Sequence, residues 1–158
     1  MASFLITKAR AVVDILAGKQ DKLYLGNLEA KRDWGYAPEY TEMVWSILQQ
    51  DKPDDYVTGT GESHFVKELV EEAFSYVGLK WKKYVEIDPH YFRPTEVSDL
   101  VADIKKVKKI FKWQPKINFN DLVKIMIDAD MRASGLKAIG EGDKILKKKF
   151  PHRWWKVD

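Results

Sequence analysis

Apolar residues recur every three or four positions in several stretches of the chain, which is the spacing of one helix face. Gly18, Gly78 and Gly135 follow three of these stretches and suit the left-handed position after a helix. Pro38 suits a first helical turn, and Asn118 suits a helix cap. The pattern predicts helices over about 5–17, 38–50, 65–77, 104–111 and 119–134.

Short β-prone runs alternate with these helices. They predict strands over 22–25, 56–58 and 81–87, each followed by Gly, Asn, Asp or Pro. The stretch from His90 to Asp99 shows no period, and the lysine-rich residues after Gly140 are less regular still. Alternating helices and strands place the fold in the α/β class with mixed α+β character.

Composition fits one globular domain, with 158 residues of which 45% are hydrophobic and 32% charged. The absence of cysteine excludes disulfides and thiolate chemistry. Twenty-seven Lys and Arg residues against 24 Asp and Glu give a net charge of +3, which by itself favours no acidic partner. The N-terminal residues lack a signal-peptide pattern, and no apolar run reaches the ~18 residues of a membrane helix. We therefore expect a cytoplasmic protein without a membrane segment.

Two motifs suggest dehydrogenase chemistry, and both depart from its pattern. Residues 59–64 read GTGESH between a predicted strand and a helix, but His64 stands where a dinucleotide loop has its third glycine. Tyr76 and Lys80 have the Tyr-x-x-x-Lys spacing of short-chain dehydrogenases, but Gly78 ends the helix between them. We interpret the first as a tight turn, whose N–H groups are still open to a ligand, and the second as coincidence.

Histidines are candidates for a metal site, and lysines are candidates for a binding site for an anionic polymer. The three histidines are far apart and form no metal-ligand motif, so we predict no metal site. Lysines cluster over 105–116 and 144–156, the latter around Trp154 and Trp155, a combination that can bind anionic polymers. The first cluster also has the apolar face of an ordinary amphipathic helix, so we do not expect nucleic acid to be the partner.

Several continuous blocks of the sequence are specific enough to compare with known families. The most specific are LYLGNLEAKRDWGYA at 23–37 and YFRPTEV at 91–97. Further blocks are DKPDDY at 51–56, TGE at 60–62 and WQP at 113–115. The blocks resemble the GDP-mannose 4,6-dehydratase family of extended short-chain dehydrogenases/reductases, and the resemblance covers roughly residues 4–134.

The resemblance implies that this chain corresponds to the C-terminal, substrate-binding half of such an enzyme. The family uses NADP to oxidise carbon 4 of the mannose, removes water across carbons 5 and 6, and returns the hydride to carbon 6. Its other half carries the NADP loop and the catalytic Tyr-x-x-x-Lys, which have no counterpart here. We therefore expect this chain to bind no cofactor alone and to be inactive alone, with NADP implied for the full-length enzyme.

The resemblance also assigns candidate substrate residues. The planar guanidinium of arginine suits phosphate oxygens, and Arg32 and Arg93 are expected to contact the diphosphate of GDP-mannose or a related GDP-sugar. The structural alternative for Arg32 is a pair with Asp33 or another nearby acid, and for Arg93 a surface position.

Four further residues complete the predicted site. Glu96 is expected near the sugar or ribose hydroxyls, and Asn27, with Leu25 and Gly26, is expected to line the nucleotide side. No catalytic residue is predicted in this chain.

The predicted organisation is a substrate-binding region over 1–139 and a basic, Trp-containing tail over 140–158. In the family, the helix from Pro38 and the segment at Tyr56 pack on the nucleotide-binding sheet, so their apolar surface is expected to be exposed here. These elements then rearrange, the chain self-associates as a homo-oligomer, or it is part of a longer protein. The alternative function is a noncatalytic module that binds a protein or an anionic polymer through its lysines.

Overall fold

The computed structural model describes residues 2–92, 95 and 97–152, with side chains from residue 7 onward. This part of the chain contains six α-helices. They are α1 Ala2–Leu16, α2 Ala37–Leu48, α3 Val66–Tyr76, α4 Lys105–Phe111, α5 Phe119–Ala133 and α6 Glu141–Lys149. The five predicted helices are confirmed to within a few residues, and α6 is an addition to the prediction. None of the described helices is long and apolar enough to cross a membrane.

Five short strands form two small sheets in the same part of the chain. The strands are β1 Leu23–Leu25, β2 Lys31–Arg32, β3 His64–Phe65, β4 Val85–Ile87 and β5 Asp99–Leu100. β1 and β4 are parallel, with Leu23 opposite Val85 and Leu25 opposite Ile87. In the second sheet, β2 lies between an antiparallel β3 and a parallel β5.

The strand predictions are confirmed only in part. Residues 56–58 are not a strand, and Trp81–Lys83 is a 3-10 turn, so that only the last part of the predicted strand 81–87 is extended. The strands β2, β3 and β5 were not predicted. Each is two residues long, which is too short to show an alternation of apolar and polar residues. Each is a strand because a distant segment pairs with it.

The main core lies where α1, α3 and α5 pack together over β1. Val13, Phe74 and Ile127 are completely buried there. A second cluster joins α5 to α6 through Ile125 and Leu146. The apolar faces of these helices therefore pack together as one layer against the β1–β4 pair.

The first turn of α6 packs closely on α5. A Cβ atom on Gly142 would lie 2.6 Å from Cα of Ile125, so only glycine fits at this contact. The predicted boundary between residues 139 and 140 falls immediately before this helix. Trp154 and Trp155 of the predicted tail lie outside the described residues.

The outer face of α2 carries an uncovered apolar surface. Val44, Trp45 and Leu48 are 54%, 66% and 74% exposed, and Val57 in the following loop is 56% exposed. This confirms the expectation that the helix from Pro38 and the segment at Tyr56 leave apolar surface in solvent.

Candidate functional site

The carboxyl ends of the parallel strands β1 and β4 lie side by side, with Leu25 opposite Ile87. Ligands of open α/β sheets bind in the crevice beyond this end of parallel strands. Two loops follow the strands here, one from Gly26 to Ala30 and the other beginning at Asp88, of which residues 88–92, 95, 97 and 98 are described. We call this region the carboxyl edge, and the predicted residues Gly26 and Asn27 belong to its first loop.

Gly26 joins the two loops by close backbone contact. A Cβ atom at this position would lie 2.5 Å from the carbonyl oxygen of Tyr91, a distance that no larger residue tolerates. Next to it, the Asn27 side-chain oxygen accepts the N–H of Glu29 at 2.8 Å and closes a local turn. The first loop is thus held against the second.

Leu25 contributes to this edge through its main chain. Its side chain is only 2% exposed and belongs to the main core. Its carbonyl oxygen accepts the N–H of Asp88 at 2.8 Å, which fixes the start of the second loop.

Arg32 lies on β2 and contacts the far end of the same loop. Its Nη1 donates to the carbonyl oxygens of Lys31 at 2.6 Å and Val97 at 2.7 Å. Asp33, the alternative partner considered for Arg32, accepts main-chain N–H groups from two other segments. Arg32 is therefore anchored beside the 88–98 loop.

Arg93 and Glu96 lie outside the described residues, so their predicted roles stay predictions. The described residues on either side of them contact other parts of the chain. Gly26 contacts Tyr91 before them, and Arg32 contacts Val97 after them. The structure therefore brings Gly26 and Arg32 to the described residues on either side of the two remaining candidates.

Two N–H groups of the Gly59–Gly61 turn are already bound within the chain. The Asp33 carboxylate accepts N–H groups of Thr60 and Gly61, both at 2.9 Å, and of Ala102 at 3.2 Å. The Thr60 hydroxyl donates to the same carboxylate at 2.6 Å. A dinucleotide loop needs such donors for phosphate, so this turn does not fit NADP.

The Tyr76 hydroxyl is likewise engaged in the core and not in a catalytic pair with Lys80. It donates to both carboxylate oxygens of Asp128 at 3.1 Å. Burial, together with the negative charge of Asp128, raises the pKa of Tyr76 far above its ordinary value. A catalytic tyrosine requires a lowered pKa, so the geometry supports the interpretation of this motif as coincidence.

His64 and His90 have local structural contacts. The His64 ring stacks on Phe119 with centroids 4.0 Å apart, and its Nδ1 lies 3.3 Å from Glu68. His90 Nδ1 lies 2.8 Å from Asp88. Within the described ranges, no group of three or more metal-binding side chains is close enough to hold an ion.

Several lysines of the two basic segments are paired with acids of the chain itself. Lys106 lies 2.6 Å from Asp54, a contact that lowers the pKa of that aspartate, and Lys149 lies 2.5 Å from Asp121. These pairs reduce the positive charge available to an anionic polymer.

Two aromatic residues at the carboxyl edge were missed by the sequence analysis. Tyr91, the last residue of the 3-10 turn Pro89–Tyr91, is 60% exposed, and Phe92, which follows the turn, is 50% exposed. The pair Asp88-Pro89 predicts a turn here, but no pattern among the neighbouring residues predicts that the two rings are exposed to solvent.

The sequence model of the GDP-mannose 4,6 dehydratase family matches residues 2–126. The chain belongs to this family. It is 55% identical over 122 residues to GDP-mannose 4,6 dehydratase 1 of Arabidopsis thaliana, an alignment covering 77% of this chain and 34% of that protein. It is 40% identical over 148 residues to the human GDP-mannose 4,6 dehydratase, covering 82% and 40%. The chain thus spans between a third and two fifths of the length of these relatives.

Solved structures of more distant proteins share the fold. RMD from Pseudomonas aeruginosa, complexed with NADPH, superposes with a TM-score of 0.72 at 17% identity, covering 85% of this chain and 43% of that one. UDP-glucose 4-epimerase from Thermotoga maritima, with UDP-glucose, gives 0.63 at 22% identity, covering 81% and 40%. The α/β prediction is therefore confirmed, and this chain shares the fold of the matching part of these proteins.

Proposed function

We propose that this chain is the substrate-binding region of a GDP-mannose 4,6-dehydratase and that it binds GDP-mannose or a related GDP-sugar at the carboxyl edge. The observation that carries the proposal is that the two most family-specific blocks, 23–37 and 91–97, meet there. Gly26 packs against Tyr91, and Arg32 donates to Val97. The two blocks, which are distant in sequence, therefore meet beyond the carboxyl ends of parallel strands, where open α/β sheets bind ligands.

Within this site, Arg32 and Arg93 are proposed to bind the diphosphate and Glu96 a hydroxyl of the ribose or hexose. Asn27 and Gly26 lie on the nucleotide side. Arginine suits this role because its charge is permanent and its N–H groups fit two phosphate oxygens together. The region that forms the site is proposed to be residues 1–139, with 140–158 as an appended basic segment.

Dehydration itself is proposed to need residues that this chain does not provide. When a family enzyme binds NADP, the cofactor accepts the hydride and later donates it back. Here the N–H groups of Thr60 and Gly61 are bound to Asp33, and the Tyr76 hydroxyl is bound to Asp128. This chain then forms one wall of the active site, and the cofactor-binding portion of a family enzyme, in the same or another polypeptide, supplies the rest.

Calorimetric titration with GDP-mannose, GDP and a UDP-sugar tests the proposal. We expect saturable binding that favours guanine, and no dehydrated product when NADP is added. Arg93→Ala is expected to weaken binding by about 1.5–3 kcal/mol, the scale of a hydrogen bond to a charged group.

Arg10→Ala is the matched control, because Arg10 is ion-paired to Asp130 between α1 and α5. It is expected to leave the affinity for GDP-mannose unchanged. Absence of binding by the unmodified chain, or equal effects of the two arginine substitutions, would contradict the proposed site. Binding of an anionic polymer that falls steeply with salt and ignores GDP-mannose would favour the alternative function.

A further inference from the structure

Asp33 follows Arg32 directly in the chain, and its carboxylate accepts donors from two distant segments. It accepts the N–H groups of Thr60 and Gly61 at 2.9 Å and that of Ala102 at 3.2 Å. The Thr60 hydroxyl donates to it at 2.6 Å. Hydrogen bonds to a charged acceptor are stronger than those between neutral groups. One side chain therefore fixes the backbone at the end of β2 against both segments.

The strand β2 needs such contacts because it and both of its neighbours are only two residues long. At its two ends, the Lys31 N–H donates to the carbonyl oxygen of Ser98 at 2.8 Å, and the Asp33 N–H donates to that of Leu100 at 2.9 Å. Sheets this small are marginally stable without further contacts. The side-chain bonds of Asp33 therefore help to hold β2, and Arg32 with it, in place.

The turn at Gly59 approaches this carboxylate closely. A Cβ atom on Gly59 would lie 2.8 Å from Oδ2 of Asp33, so a side chain there would displace the carboxylate. Arg32 contacts a different segment, because its Nη1 donates to the carbonyl oxygen of Val97 at 2.7 Å. An arginine whose backbone and one N–H bond are already fixed loses less conformational entropy when it binds a ligand.

We propose that Asp33 is a positioning residue for diphosphate binding, which holds Arg32 in the orientation that meets the phosphate oxygens. The inference rests on the proposed function and adds to it the residue that orients the arginine. The Asp33 carboxylate is bonded to N–H and O–H groups of the chain itself, so it acts through Arg32 and not by touching the ligand.

The first experiment is a double-mutant cycle measured by calorimetric titration with inorganic pyrophosphate and with GDP-mannose. Arg32→Ala is expected to weaken binding about 10- to 150-fold, the equivalent of a hydrogen bond to a charged group. Asp33→Asn is expected to weaken it about 5- to 20-fold, because the arginine remains but is less well oriented. In the Arg32→Ala background, Asp33→Asn is expected to change the affinity by no more than about twofold.

The second experiment needs no ligand. The Ser98 N–H belongs to the same peptide group as the Val97 carbonyl, so its NMR signal reports the bond from Arg32. Arg32→Ala and Asp33→Asn are expected to shift this signal in the same direction. Thr60→Val removes one donor to the Asp33 carboxylate and is expected to give a smaller shift in that direction, with a smaller loss of affinity.

Asp128→Asn is the matched control, because Asp128 is also a carboxylate that accepts main-chain N–H groups, but it lies on α5. It is expected to change neither the affinity for GDP-mannose nor the Ser98 signal. Thr60→Val provides the same test as Asp33→Asn if the latter does not fold.

Three results would overturn the inference. If the unmodified chain binds GDP-mannose but Asp33→Asn and Thr60→Val bind it equally well, the Asp33 assignment is wrong and the proposed function stands. If Asp33→Asn weakens binding equally with and without Arg32, Asp33 does not act through Arg32. If the unmodified chain binds neither pyrophosphate nor GDP-mannose, the proposed function fails and this inference fails with it.

Discussion

At the scale of single residues, three carboxylates connect distant segments of the chain by accepting main-chain N–H groups. Asp33 joins the Gly59–Gly61 turn to Ala102, and Glu39 accepts from Lys116 and Ile117. Asp128 accepts from Ile139, Gly140 and Gly142 as well as from Tyr76. Each carboxylate satisfies backbone donors that would otherwise be left without partners, which is the costly situation inside a protein.

Asp128→Ala is expected to lower the free energy of unfolding by roughly 3–5 kcal/mol, because several donors lose their acceptor and each such loss costs about 1–3 kcal/mol when the donor is buried. Asp128 is completely buried, so water cannot replace it. Urea denaturation followed by circular dichroism measures the change. Glu141→Ala, which removes an exposed pair with Lys124, is the control and is expected to have a much smaller effect. Equal effects of the two substitutions would contradict this role of Asp128.

Glu39 is expected to make stability depend on pH. It is 1% exposed, and burial raises its pKa above the ordinary value of 4.5, although the N–H groups of Lys116 and Ile117 oppose the shift. Because the folded state holds this proton more tightly, the stabilising contribution is complete below pH 4.5 and is lost as pH rises through the raised pKa.

The measurement is the free energy of unfolding of the unmodified chain minus that of Glu39→Gln, from pH 4.5 to neutrality. Gln cannot ionise, so the difference isolates Glu39 from the other acids. We expect the difference to fall as pH rises. A difference that does not change with pH would disprove a raised pKa.

At the scale of elements, the helix propensity of the residue and its packing have opposite effects on stability at Gly142 of α6. Glycine lowers helix stability by about 1 kcal/mol relative to alanine, so local preference alone predicts that Gly142→Ala stabilises the protein. The added Cβ would lie 2.6 Å from Cα of Ile125 and 2.7 Å from the carbonyl oxygen of Lys124, which forces α6 away from α5.

We therefore expect Gly142→Ala to lower the free energy of unfolding by about 1–3 kcal/mol, the usual cost of overpacking. Denaturant unfolding monitored by circular dichroism measures it. Ser75→Ala, at an exposed position near the end of α3, is the control and is expected to change little. Stabilisation by Gly142→Ala would show that α6 does not pack on α5 as described.

At the scale of the whole molecule, the uncovered face of α2 sets the behaviour of the isolated chain. Val44, Trp45 and Leu48 form a contiguous apolar patch, because Leu48 lies four residues after Val44 and three after Trp45, and residues at these spacings are neighbours on a helix surface. Such patches usually mark an interface. In the proposed function, the cofactor-binding portion of a family enzyme covers this face.

Without that cover, the isolated chain is expected to self-associate with rising concentration, and Trp45→Glu is expected to reduce the association. Sedimentation velocity over a range of concentrations measures it. Lys108→Glu, which alters an exposed residue of α4, serves as the control for added negative charge. Association that is equally strong in unmodified chain and Trp45→Glu would exclude this face as the contact.

The helices and the family membership were determined by the sequence itself. Helical periodicity depends on neighbours three or four residues apart, so α1 to α5 are visible in the order of apolar residues. The blocks around Arg32 and Arg93 also identify the family, because they are continuous in the chain.

Only the tertiary structure decided which of those residues meet and how they are held. The strands β2, β3 and β5 exist through pairing with distant segments, and no two-residue run carries a pattern of its own. The bonds of Asp33 and Asp128, and the packing of Gly26 on Tyr91, likewise join residues far apart in the chain. Such contacts depend on the packing of whole elements, and packing is a property of the folded chain that short-range patterns do not contain.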